Sequence, residues 1–186
     1  MSRYDLRLRR SFSESRVYQG AEAFTRLYER THLVVFRYIY ALYGEPREDV
    51  EDLWLETYLK AWRSRDRFEG NESAALGWLL HIARNLVIDK HRTNQRHLAS
   101  ELTDTELVSS AADNAPESQM IAAEQSQSLW KSLSRLPQQQ QDILVLRYVL
   151  GWRVKAIADH LQVPENTISV TLRRALAKLA DLQESL

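Results

Sequence analysis

The 186-residue chain contains no cysteine. That excludes disulfides, cysteine-ligated zinc and thiol catalysis. Glycine and proline are scarce, at five and four residues. So few turn-formers suit helices better than a sheet-rich fold. No apolar run approaches the roughly 20 residues that span a bilayer. The first residues lack the apolar core of a secretory signal. A cytoplasmic protein with no membrane insertion is therefore expected. Also missing are a phosphate-cradling glycine loop and a nucleophile elbow. His81, His91 and His97 lie near Asp89 in the sequence, but not at convergent helical spacing. Neither an enzyme nor a bound cofactor or metal is expected.

What is present is segregated charge. Twenty-five cations balance twenty-five acids, so the net charge is zero. Residues 1–20 carry five arginines against two acids, or +3. Residues 43–57 carry one arginine against six acids, or −5. Residues 98–130 carry six acids and no Lys or Arg, and residues 131–186 carry eight bases against five acids. Such patches fit a protein that touches both a polyanion and a basic protein surface.

The most informative stretch runs from Leu136 to Leu179. Ile157 and Leu161 share one helix face, and Val163-Pro164 marks a short break. Ile168, Leu172, Leu176 and Leu179 then repeat at helical spacing. Two helices joined by three or four residues have helix-turn-helix spacing. The second would lie in a DNA major groove. Its outward face would carry Thr167, Ser169, Val170, Thr171, Arg173, Arg174 and Lys178, a mix of short hydrogen-bonding groups and cations suited to base edges and phosphates. The plainer reading is a helical hairpin with a solvated basic face. Ile143, Leu144, Leu146 and Tyr148 would close this core.

Earlier, Phe24 to Leu42 form an apolar stripe ended by Gly44 and Pro46, giving a helix over 21–43. A second helix, over 47–63, turns Val50, Leu53, Trp54, Thr57, Tyr58 and Ala61 inward. Its other face shows Glu48, Asp49, Glu51, Asp52 and Glu56. Paired carboxylates can hold a metal, but no histidine accompanies them, which favours a solvated or partner-binding face. A third helix runs from Ala74 to His91. Residues 98–116 read as a flexible acidic linker, and helix resumes near Glu117 with Met120 and Ile121. The fold class expected is all-α: two small helical domains, 21–97 and 117–186, behind a basic tail over 1–20.

Two motifs resemble one family. Leu136-Pro137, Leu146-Arg147-Tyr148, Gly151, Ala156-Ile157-Ala158 and Thr167-Ile168 look like region 4 of a sigma-70 factor. Val50-Glu51-Asp52-Leu53, Glu56-Thr57-Tyr58, Ala61-Trp62 and Trp78 through Asp89 resemble region 2. Two motifs in the right order are more specific than either alone. The short length resembles the extracytoplasmic-function, or group IV, sigma factors. The resemblance implies a promoter-specificity subunit whose partners are core RNA polymerase, promoter DNA in duplex and melted form, and an anti-sigma factor. It implies that Asp49, Glu51, Asp52, Leu55 and Glu56 meet polymerase. Phe68, Trp78, Arg84, Asn85, Asp89, Lys90 and Arg92 would engage the −10 element, and the basic helix the −35 element. The runner-up is a helix-turn-helix regulator that needs no polymerase. Several residues depart from the family pattern. Trp54 replaces a small aliphatic, Leu55 a glutamine, Gln162 a turn glycine and Pro164 a capping serine. Ser169 and Thr171 stand where cations are common.

Overall fold

The structure, a computed structural model, describes residues 20–101, 129 and 131–184. The tail up to residue 19, the linker from residue 102 and the helix restart with Met120 and Ile121 lie outside the described residues. Backbone contacts divide the chain into two units, residues 1–89 and 90–186. Among the described residues all regular structure is helical, as expected.

In the first unit, α1 (Ala21–Tyr43) packs against α2 (Arg47–Ser64). Helix α1 stops at Gly44, whose φ of 85° is strained for any side-chain-bearing residue. Its N–H donates to the Tyr40 carbonyl at 2.9 Å. Pro46, extended at φ −76°, then leads into α2. The two helices run antiparallel, because their ring contacts pair rising with falling numbers. Phe24 meets Trp62 at 5.1 Å, Tyr28 meets Tyr58 at 5.0 Å and Phe36 meets Trp54 at 6.2 Å. The Phe24, Tyr28 and Phe36 contacts are edge-to-face pairs, worth about 0.5–1.5 kcal/mol each beyond the area they bury. Beside them Val35, Tyr38, Ile39, Val50 and Ala61 are fully buried.

The seam has one buried polar link. The Thr31 hydroxyl lies 2.6 Å from the Leu27 carbonyl, to which it donates. That uses its only proton, so the Tyr58 hydroxyl, 2.8 Å away, donates to Thr31. Trp54 Nε1 donates to the His32 carbonyl at 3.1 Å. Trp54 thus faces the seam, as the periodicity predicts, and is half-buried there.

A 3-10 turn, Arg65–Arg67, leads towards α3 (Glu72–Glu101). Asn71 starts that helix, its side-chain oxygen accepting the Ala74 N–H at 3.0 Å. Ala75, Leu79, Leu80, Ala83, Leu86 and Val87 are buried along one face. The helix runs ten residues beyond His91, where the apolar periodicity ends. Residues 92–101 contain neither Gly nor Pro, so no local signal stops it.

In the second unit, Leu136-Pro137 opens α4 (Gln138–Leu144). A π-helical turn, Val145–Val149, follows, then α5 (Val154–Leu161) and α6 (Glu165–Glu184). Helix α6 packs on both α4 and α5. Ile143, Leu146, Ile157, Ile168 and Ala175 are fully buried between them. Two expected core residues are not in the core. Tyr148 is 61% exposed. The wide turn, in which the Leu150 N–H reaches back to Val145, swings Tyr148 outward. Leu176 is 40% exposed. The buried row advances 168, 172, 175, so Ala175 takes the inward place and lets α6 approach closely.

Burial raises the Tyr58 phenol above its ordinary value of 10, and the Thr31 hydrogen bond offsets only part of that rise. A phenol whose folded pKa is raised contributes stability that is complete below its unfolded pKa, about 10, and is lost as pH climbs past that value. Tyr58→Phe leaves the Thr31 oxygen without its donor and should cost about 1 kcal/mol at neutral pH. The same variant should lose stability less steeply above pH 10. Urea titrations across pH 7–11 check both effects.

Candidate nucleic-acid and protein interfaces

The burial of Ile168, Leu172 and Ala175 fixes which side of α6 is free. Thr167, Ser169, Arg173, Arg174 and Lys178 are exposed, and Val170 and Thr171 are half-buried at the margins. The structure therefore gathers all seven expected residues outside the buried row. The Ser169 hydroxyl donates to the Glu165 carbonyl at 3.1 Å, so towards a ligand it can only accept. Asn166, exposed on the first turn, was missed by the sequence reading. It sits one turn before Val170, and its amide can both donate and accept. Arg153 and Lys155, at the start of α5, are also exposed and were missed. Cations at a helix start, beside its free N–H groups, were the available signal.

The turn between α5 and α6 is held by backbone. Gln162 is left-handed at φ 55°, ψ 43°. Its N–H and that of Val163 both reach the Ala158 carbonyl, the latter at 3.1 Å. This is a Schellman closure, with Gln where Gly is favoured. The Pro164 carbonyl accepts from Thr167 at 2.9 Å and starts α6 without a side-chain cap.

On α2 the outward face is acidic with an apolar centre. Leu55 and Leu59 are each 53% exposed. Glu48, Glu51, Asp52 and Glu56 surround them, all exposed. Arg47 pairs with Glu51 at 2.8 Å, and Lys60 with Glu56 at 3.3 Å. Asp49 turns aside, accepting the Tyr43 hydroxyl at 2.5 Å, and is only half-exposed. Of the five residues expected to meet a protein partner, Glu51, Asp52, Leu55 and Glu56 share this face and Asp49 lies at its edge. Leu59, missed by the sequence reading, completes the apolar ridge one turn after Leu55.

On α3, Asn85, Asp89 and Arg92 are exposed along one stripe below the half-buried Trp78. Arg84 and Lys90 are half-buried to either side. Phe68, expected at the −10 element, is turned inward. It is 9% exposed and stacks on Trp78 with centroids 4.7 Å apart. Its ring passes so close to Gly70 that a Cβ there would meet Phe68 Cζ at 2.6 Å. The loop thus folds its aromatic inward, where it supports Trp78. Among the described residues no group of three or more His, Cys, Asp or Glu could hold a metal, and no helix is long and apolar enough to cross a membrane.

Replacing Gln162 by glycine should relieve the left-handed strain and stabilise this unit by about 0.5–1 kcal/mol. Thermal unfolding of the Gln162→Gly variant checks this; an unchanged or lower midpoint would argue against strain at the turn.

Two family models match the sequence, Sigma-70 region 2 over residues 27–97 and Sigma-70 region 4 over residues 126–179. The chain is 34% identical over 165 residues to the ECF RNA polymerase sigma factor BldN of Streptomyces coelicolor. That match covers 87% of this chain and 61% of BldN. It is 27% identical to the ECF RNA polymerase sigma factor SigX of Bacillus subtilis, covering 89% of this chain and 86% of SigX. Two solved structures share the fold at 21% identity and a TM-score of 0.63. One is the sigma factor RpoE with the anti-sigma factor NepR from Bartonella quintana, matching 88% of this chain and 98% of RpoE. The other is CnrH with the cytosolic domain of CnrY, matching 92% of this chain and 98% of CnrH.

Proposed function

The chain belongs to the sigma-70 family, in its extracytoplasmic-function branch, and from that membership we propose that it directs core RNA polymerase to a specific set of promoters. The observation that carries the reading is the presence of regions 2 and 4 in order in one chain, with the acidic, leucine-centred face of α2 free. A helix-turn-helix regulator acting alone has no use for that face.

In this reading α2 docks on a basic surface of the polymerase through Asp52, Leu55 and Glu56, with Asp49, Glu51 and Leu59 around them. Helix α6 reads the −35 element in the major groove. Arg173 and Arg174 supply the long cations, bidentate to guanine or paired with phosphate, and Lys178 a further phosphate contact. Thr167, Ser169, Val170 and Thr171 offer short contacts to base edges. Helix α3 meets the −10 element with Trp78, Arg84, Asn85, Asp89, Lys90 and Arg92. Phe68 acts beneath Trp78 as its support. Melted bases are held by stacking and edge contacts, which suits an amide and a half-exposed indole. Residues 102–116, beyond the end of α3, link the domains, and their acidity disfavours non-specific adhesion to DNA. The protein performs no catalysis of its own, binds no cofactor and works in the cytoplasm. An anti-sigma factor is its expected inhibitor, a reading supported by the complex in which RpoE was solved.

Two experiments test this reading. Arg173→Ala with Arg174→Ala should weaken promoter binding and lower the salt slope of binding by about one to two. Circular dichroism should be unchanged, and unaltered affinity would remove α6 from the groove. Asp52→Lys with Glu56→Lys should abolish assembly with core polymerase, measured by co-elution, at unchanged helical content. Co-elution of the variant at moderate salt would mean that the face is only solvated.

A further inference from the structure

The outward face of α2 carries an unusual load for a surface. Leu55 and Leu59 are each 53% exposed. Four exposed acids flank the α2 leucines. Glu51 and Glu56 have cations from their own helix, but among the described residues Glu48 and Asp52 have no ion pair. The face therefore suits a segment that offers apolar side chains and positive charge together.

Such a segment lies in this chain. Residues 1–19 carry Arg3, Arg7, Arg9, Arg10 and Arg16 against Asp5 and Glu14, five cations less two acids, or +3. Tyr4, Leu6 and Leu8 alternate with polar residues, and Phe12 follows the Arg9-Arg10 pair. The point of attachment is close. Phe24 rests edge-on against Trp62 at 5.1 Å, which sets the start of α1 beside the C-terminal end of α2. Nineteen residues can reach about 60 Å when extended. An 18-residue helix such as α2 is about 27 Å long. The segment can thus run the whole length of the face from its anchor at Gly20.

We propose that residues 1–19 dock on the outward face of α2 and compete there with core polymerase. The competition rests on the polymerase reading above; the contact itself does not. Tethering gives the segment a high effective concentration, so modest contacts suffice. Because the charges are exposed, the docking weakens with salt. If the segment covers the face about four-fifths of the time, the apparent affinity for polymerase falls about fivefold.

The test uses the full chain. It has no native cysteine, so Ser11→Cys accepts a single nitroxide label. At low salt the label should broaden the amide signals of α2 around Asp52 to Leu59. High salt, or Arg3, Arg7, Arg9 and Arg10 all replaced by Glu, should restore them. The same four-Glu chain should bind core polymerase about fivefold more tightly than the parent at low salt, and equally at high salt. Broadening confined to α6, to residues 98–130 or to the first turn of α1 would overturn the docking. Unchanged polymerase affinity in the four-Glu chain would overturn the competition. If neither chain binds polymerase while α2 is still broadened, the docking stands and the polymerase reading falls.

Discussion

Each helix of this chain has to bury one stripe to exist. An isolated helix of fewer than about 12–15 residues is marginal in water. Helices α4 and α5 have seven and eight residues, and so depend on the face they share with α6. The longer α1 and α2 gain their definition from the aromatic seam between them. Burial does more than stabilise, because once Ile168, Leu172 and Ala175 are inside, Arg174 has to be outside. Once Val50, Leu53, Thr57 and Ala61 are inside, Leu55 and Asp52 face water. The functional surfaces are set by what the cores take.

Polar groups fix the corners where packing alone would leave freedom. Gln141 is buried and donates to the Leu136 carbonyl at 2.8 Å and the Ser134 carbonyl at 3.3 Å. It ties the Leu136-Pro137 corner to α4. Arg147 donates to the Trp152 carbonyl at 2.9 Å and closes the chain after the π-helical turn. Asn71 begins α3, and Gly70 lets the Phe68 ring fold back over Trp78. The contacts at Asn71 and Gly70 set the start of α3, one of the helices with a candidate interface.

A neutral chain can serve a polyanion and a basic surface only if its charges are kept apart. Here the acids collect on α2, while α6 turns Arg173, Arg174 and Lys178 outward. Pairing within α2, Arg47 with Glu51 and Lys60 with Glu56, tempers that face without neutralising it. Exposed pairs of this kind contribute about 0–1 kcal/mol. They tune the field more than they hold the fold.

The sequence by itself determined the all-α class, the helices at 21–43 and 47–63 almost to the residue, and the family, because those rest on period, composition and short motifs. The family pattern showed only that Gln162 stands in place of a turn glycine; the left-handed backbone there, φ 55°, belongs to the fold. Only the tertiary structure decided which of two neighbouring apolar residues goes inside. Ala175 displaced Leu176 because α6 is seen from two directions, by α4 and by α5, and a one-helix periodicity cannot weigh them. Tyr148 left the core because the turn that carries it widened to a π-helix, a change no local signal announces. Phe68 lies inward for a similar reason. Its destination depends on Trp78, ten residues away, and on the missing Cβ of Gly70 beneath its ring. Burial of a single side chain depends on neighbours brought together only by the fold, and so it could not be read along the chain.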